Sequence, residues 1–311
     1  MEKKLKYKMT DETVTFAGRT LHRIVALSDI GYAYVSEGDL GGFIESEKNL
    51  SQDGNAWVAG NAKVCANAVV REDARVDGSA VVKSGAMVCG KALVGGNAII
   101  DDYAIVHGHA HVHGKARVRG YSEVYGWARV KGSSIVSEYA HVYESASIMN
   151  SAWVYGKARV YGEAVISDAY VSGKANVHGS ATVKGGAKVY GNANVNGSAF
   201  VHDNSHVFGN AFVGSLTIEG GASICGDAKL VNAADYIVFR NNWTSGRAFT
   251  CFKTKKGCYM WSVGCFYGSS SDLVKKAYGD SERSGKCYEA CVECAKAVFA
   301  SNTIKIRMGS K

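Results

Sequence analysis

The chain has 311 residues, with 37 Gly and no Pro; an average chain carries about 5% Pro, so collagen-like segments and Pro-rich linkers are excluded. Hydrophobic residues at 47% and charged residues at 21% allow a sizeable core and argue against intrinsic disorder. The formal charge is +8, and between 235 and 311 there are 13 Lys and Arg against 6 Asp and Glu, a basic C-terminal segment that points to an anionic partner.

In chain order, residues 1–50 come first. The opening MEKKLKYKMTDET is too polar for a signal-peptide core, and no apolar run approaches the roughly 18 residues of a membrane span. A cytoplasmic protein with reduced thiols is therefore expected for the nine Cys, and no membrane partner. Val14-Thr-Phe16 and Leu21-His-Arg-Ile24-Val25 flank Ala17-Gly18-Arg19, the pattern of a hairpin. An open solenoid end needs covering, so 1–50 reads as an N-terminal hairpin and cap.

From 51 to 232 a six-residue repeat dominates. Ala recurs at 56, 62, 68, 74, 80, 86, 92, 98, 104, 110 and 116, with Ser122 and Ser134 as replacements before Ala140. Two residues after each small residue stands an aliphatic one, from Val58, Val64 and Val70 to Ile224 and Leu230. Ala-x-Val reads as a short strand with two inward side chains, and the following Gly, Asn, Asp or Ser as a tight corner. Ala164 to Ala169 and Ala211 to Leu216 are five-residue repeats, which tighten a corner without opening a loop.

From 233 to 311 the hexad stops. Tyr236 to Phe239, Arg247 to Phe252 and Cys258 to Val263 read as strands, with Lys255-Lys-Gly257 as a turn; Ser271 to Gly279 and Lys286 to Ala300 read as helices. The second helix shows an apolar stripe at Cys287, Cys291, Cys294 and Val298. Together these elements make a small C-terminal α+β module.

The run from 55 to 230 resembles the hexapeptide-repeat proteins, whose motif is an aliphatic residue followed four positions later by a small one. The resemblance implies an all-β solenoid, a left-handed parallel β-helix, with three repeats per coil and about ten coils. The phrases Thr10-Asp-Glu-Thr13, Gly38-Asp-Leu-Gly-Gly42, Glu45-Ser-Glu-Lys-Asn-Leu-Ser51 and Arg240-Asn-Asn-Trp-Thr-Ser-Gly-Arg247 are similar to those of hexapeptide-repeat proteins of bacteriophages and prophages. That resemblance covers the whole chain and implies a viral or mobile-element origin with no established activity.

Many left-handed β-helix proteins are acyltransferases with a long loop leaving the coil, and the hexad run here has no insertion, so no catalytic residue is assigned. His107-Gly-His109-Ala-His111-Val-His113 offers imidazoles but no carboxylate or Cys to complete a coordination sphere, so no metal site is expected. Cys287-x3-Cys291-x2-Cys294 has the spacing of a radical-SAM motif, yet thiols buried on one helix face account for it better, and no cofactor is assigned.

Positions 18 apart stack when three hexads make a coil, which aligns Tyr125, Tyr143 and Tyr161 as an aromatic ladder or an interface stripe. Val81, Ile99, Ile135 and Trp153 form an outward apolar set, as do Val69, Met87 and Ile105, pointing to a homo-oligomer, a trimer in preference. The segment richest in binding chemistry is Arg240, Asn242, Trp243 and Arg247, continued by Lys253, Lys255 and Lys256. Guanidinium forks match phosphate and an indole offers a stacking surface.

The expected function is that of a non-enzymatic phage or prophage accessory protein in the host cytoplasm. It is an oligomeric rod that binds an anionic small molecule, such as a nucleotide signal sequestered in counter-defence, or a host macromolecule. The alternatives are a structural, polymer-forming rod and a hexapeptide-repeat acyltransferase.

Overall fold

The computed structural model describes residues 5–31 and 34–308; residues 1–4 of the expected cap and 309–311 of the expected C-terminal module lie outside them. The chain forms a parallel β-solenoid of about ten turns followed by a small antiparallel sheet and two helices. It divides into two compact units, Met1–Gly173 and Lys174–Lys311. The division falls inside the hexad run.

In the first unit, β1 (Tyr7–Phe16) and β2 (Arg19–Ala26) form an antiparallel hairpin through Ala17 and Gly18, both at positive φ. β2 pairs with β3 (Leu40–Ile44), and β3 pairs in parallel with Lys63–Val64. The cap therefore extends one solenoid face. β3 can lie this close because it carries glycines: a Cβ on Gly42 would sit 2.6 Å from the Ala62 carbonyl oxygen.

Among the described residues thirty short strands follow, β4 (Trp57–Val58) through β33 (Lys229–Leu230). No such strand can stand alone; stability comes from each coil donating its N–H groups to the carbonyls of the next, as His109 N does to Gly126 O at 2.7 Å. Inward Ala110 and Val112 have no exposed surface, and neither do their stacked neighbours Ala128 and Val130. Where Ser replaces Ala, the hydroxyl bonds a corner carbonyl: Ser122 Oγ donates to Arg119 O and Ser134 Oγ to Lys131 O, each at 2.8 Å. Corners place one residue at positive φ, a region L side chains rarely adopt. Gly108 (φ +67°) is typical; a Cβ there would meet Gly126 N at 2.9 Å.

The outward residues of the first unit form three faces. The first carries Arg75, Leu93, His111, Arg129, Ser147 and Val165. The second carries Lys63, Val81, Ile99, Arg117, Ile135, Trp153 and Tyr170. The third carries Val69, Met87, Ile105, Glu123, His141 and Arg159.

The first coil has no preceding coil to donate to its carbonyls, and the amino-terminal residues supply the donors face by face. β3 and the residue that follows it donate to the second face, Phe43 N to Ala62 O and Glu45 N to Val64 O. Asn49 Nδ2 donates to Ala66 O and Ala68 O at 2.9 Å each, and Ser51 N to Val70 O. Lys6 Nζ donates to Ala56 O at 2.9 Å and Gly54 O at 3.3 Å on the remaining side.

In the second unit, coils from Lys174 to Leu230 lead into β34 (Tyr236–Arg240), β35 (Ala248–Lys253), β36 (Tyr259–Val263) and β37 (Phe266–Gly268), paired antiparallel in that order. α1 (Ser270–Asp280) and α2 (Glu282–Met308) follow. Strand alternation splits the sheet's side chains. Thr250 accepts from Ser223 N and Ser262 bonds Ser223 on the solenoid side; Phe249, Cys251 and Trp261 pack under the helices. β37 goes beyond the three expected strands, since Phe266-Tyr267 is too short to show alternation.

α2 corrects the expected stripe by one position. Its buried hydrophobic residues, among the described ones, are Tyr288, Val292, Ala295 and Phe299, while Cys294 and Val298 are exposed and Cys287 and Cys291 half-buried. Both registers obey helical spacing; the one that buries two aromatic rings removes more apolar surface from water. Among the described residues no helix is long and apolar enough to cross a membrane.

Candidate functional site

The β34–β35 connection is built on Asn241, a residue the sequence reading passed over in favour of Asn242. Asn241 is buried: its Nδ2 donates to the Tyr288 hydroxyl at 3.1 Å, and its Oδ1 accepts from Thr244 N at 2.9 Å and Thr244 Oγ1 at 2.8 Å. Its main chain closes the loop, with Asn241 N to Arg247 O at 2.9 Å and Gly246 N to Asn241 O at 2.6 Å. Positive φ at Gly246 (+67°) completes the turn.

This loop brings Arg240, Asn242 and Arg247 to one end of the hairpin, all three exposed. Among the described residues neither guanidinium has an ion-pair partner. Trp243 is half-buried, edge-on to Tyr288 (5.0 Å between centroids) and Phe249 (5.9 Å), and its indole N–H is buried without an acceptor. Trp243 thus packs in part against the core, and the stacking surface expected there is only partly exposed.

Lys253, Lys255 and Lys256 do not join this group. They lie at the opposite end of β35 from Arg247, and a six-residue strand separates the two ends by on the order of 15 Å. Two of them also have structural work: Lys253 Nζ is 3.7 Å from the buried Asp235 carboxylate, and Lys255 bonds Asp227 O through its main chain and Asn210 O through Nζ at 3.1 Å. The strand between them sets Lys253 apart from Arg240 and Arg247, close though the three are in sequence.

A cavity of about 440 Å³ lies between the sheet and α2, with Cys251 and Trp261 at its floor and Tyr259 stacked on Phe299 at 4.0 Å along its wall. Burial pushes the Cys251 thiol up to about 12, so it stays protonated and unreactive at neutral pH. Lys296, the cation at this cavity, is paired with Glu293 at 2.7 Å. The Cys287, Cys291 and Cys294 thiols share a half-exposed helix flank, with Cys291 raised by burial first, which corrects the expectation that they are buried together.

In the first unit the histidine run divides among ladders. His107 stacks on Tyr125 (4.9 Å), which stacks on Tyr143 (5.0 Å) and that on Tyr161 (4.9 Å). His109 stacks on Trp127 at 4.0 Å. His111 is lowered by burial first, then by Arg129. Elemental analysis of untagged protein is expected to give well under one zinc per chain, and stoichiometric zinc lost in His111→Ala would contradict this. In the second unit His202 is held between two carboxylates, Nδ1 to Asp203 at 2.9 Å and Nε2 to Glu219 at 3.3 Å. Both ring nitrogens are thereby engaged.

The tyrosine rings at 125, 143 and 161 cover one another's faces and are half-buried, leaving edges outward. A more exposed ladder, missed in the sequence reading although it has the same 18-residue spacing, is Tyr103, Tyr121 and Tyr139 at 5.1 and 5.3 Å. Val81, Ile99 and Ile135 are half-exposed on the second face, and Trp153 is exposed, edge-on to Tyr170. No family model matches the chain and no curated protein matches it in sequence.

Proposed function

We propose that the chain is a non-enzymatic, oligomeric hexapeptide-repeat protein of the left-handed type and of phage or prophage origin, which binds an anionic small molecule through its C-terminal module. The reading rests on the flanking phrases that resemble phage proteins and on one geometric observation. Arg240 and Arg247, neither with an ion-pair partner among the described residues, stand on a loop locked by Asn241 beside a half-buried indole whose N–H has no acceptor among them. Arg forks suit a phosphate and Trp243 a planar group, so a nucleotide is the favoured ligand. The coils run from strand to strand through tight turns without an excursion, which weighs against an acyltransferase with an enclosing loop. The half-exposed apolar ladder at Val81, Ile99, Ile135 and Trp153 supports assembly with further copies, a trimer in preference.

Calorimetry against linear and cyclic nucleotides tests the site. Charge-assisted hydrogen bonds contribute about 1.5–3 kcal/mol each, so Arg247→Ala is expected to weaken nucleotide binding by about tenfold or more. Lys256→Ala, at the other end of β35, should change it little. Binding that survives both Arg247→Ala and Trp243→Ala excludes this loop. Native mass spectrometry reads the assembly: discrete oligomers fit the proposal, open-ended ones the polymer-forming alternative.

A further inference from the structure

A second anion-attracting surface lies on the first unit, where the overall charge count gives no hint of it. Residues 109–131 hold five Lys and Arg against the single acid Glu123, and that carboxylate is on the third face, 3.5 Å from His141. The 18-residue register places the cations. Arg129 lies beside His111 on the first face, Lys131 and Lys115 at the corner that follows, and Arg117 on the adjoining second face. Among the described residues none of these four has an ion-pair partner.

The carboxylates that face the band are few and occupied. Asp77 stands two coils from His113 and pairs with Arg75. Asp168, two coils away on the other side, is bonded to Asn150 and Ser151. Glu144, the nearest acid to Trp127 in the stack, is turned onto Gly162 N at 2.8 Å. Four cations on two neighbouring coils, about 4.8 Å apart along the stack and about 7 Å apart along each strand, therefore repel one another without an ion-pair partner among the described residues to offset it. A chain with a repeating anionic charge would.

The edge of the band supplies a stacking surface. Trp127 precedes Arg129 across the corner and is 61% exposed. One ring face is taken by His109; on the other side the register brings Ser145, too small to cover an indole. An uncovered indole beside a track of Arg and Lys is the pairing by which unstacked bases and their phosphates are held together. A duplex keeps its bases stacked inside and leaves the indole unused, and a sulfated glycan meets the charges alone.

We propose that this band of the first unit, Lys115, Arg117, Arg129 and Lys131 with Trp127 at its edge, binds single-stranded nucleic acid. The surface is separate from the Arg240–Arg247 loop and does not depend on it. The test is fluorescence anisotropy of the full chain with a labelled oligothymidylate of about twelve nucleotides, across a salt series, in parallel with a duplex of equal length and with heparin. Each neutralised phosphate contributes a slope of about −0.7 in log K against log salt for single strands, so four contacts predict about −3. Arg129→Gln with Lys131→Gln should reduce that slope by about 1.4 and weaken binding by about tenfold or more. Trp127→Ala should weaken it by about fivefold or more while leaving the slope unchanged. All these positions point outward, and circular dichroism checks that the variants remain folded. Retained affinity in both variants overturns the proposal, as does loss in Arg240→Ala with Arg247→Ala instead. Equal affinity for the duplex, or heparin binding with no dependence on Trp127, overturns the single-strand assignment.

Discussion

Val112→Asp is expected to leave no soluble protein. Val112 has no exposed surface, and the side chains stacked above and below it, Val94 and Val130, are equally enclosed. The nearest inward neighbour, Ala110, offers no hydrogen-bond donor. A carboxylate there loses its water without gaining a partner, a cost of several kcal/mol against a total stability of about 5–15 kcal/mol. Moving the same charge one residue reverses the outcome, because adjacent strand residues point to opposite faces. His111→Asp places the carboxylate outward beside Arg129 and should express and fold normally. The comparison, soluble yield with circular dichroism for the two variants, turns on register alone. If Val112→Asp folds as well as His111→Asp, the inward assignment of the aliphatic row is wrong.

The difference between those two neighbouring positions also explains which parts of the molecule were legible beforehand. Inward positions obey a packing rule with one solution per repeat, so the Ala and Val rows marked every coil. Even the Ser replacements kept the pattern, because their hydroxyls reach corner carbonyls. Outward and loop positions obey no such rule. Arg240, Arg247 and Lys253 are close in sequence, yet an extended strand moves Lys253 away, and only the pairing of β34 with β35 reveals it. Asn241 and Asn242 are chemically identical in the sequence; what distinguishes them is the Tyr288 hydroxyl, 47 residues on. The α2 stripe failed by one position because two adjacent faces share the same spacing. Arg129 beside His111 and Trp127 beside His109 followed from the 18-residue period that aligned the tyrosines, but their meaning emerged with the positions of Asp77, Glu144 and Asp168, whose carboxylates are engaged elsewhere.

A second large effect is expected at Lys6, and its sign is set by pH. The side chain is 7% exposed, and its amine closes the first coil by donating to Ala56 O and Gly54 O. Burial lowers its pKa from 10.5 to about 8, although Asp53 and Asp73 pull the other way. Below pH 8 both the folded and unfolded chains hold the proton, and the folded state carries the full cost of a desolvated ammonium. Between 8 and 10.5 the unfolded chain binds more protons than the folded one, so this group's contribution to stability rises with pH. The whole rise is about 3 kcal/mol. The neutral amine that remains still has two protons, one for each carbonyl.

Other groups titrate in the same range with the opposite sign. Burial, reinforced by Glu47, raises the Tyr7 phenol, and burial raises the Cys65 and Cys89 thiols. All of these ionise earlier in the unfolded chain and lower stability as pH climbs. A single pH profile of the protein therefore mixes the effects, and Lys6→Met separates them, since every other group is common to both chains. The difference in unfolding free energy, wild type minus Lys6→Met, should grow by about 3 kcal/mol between pH 7.5 and pH 10.5 in denaturant titrations. A difference that stays flat would mean that the amine is hydrated in the folded chain and that Gly54 and Ala56 find their donors in water. A difference that grows identifies one buried lysine as the substitute for a missing coil, placed where a charged end group costs most at neutral pH and least near the pH at which the free amine itself titrates.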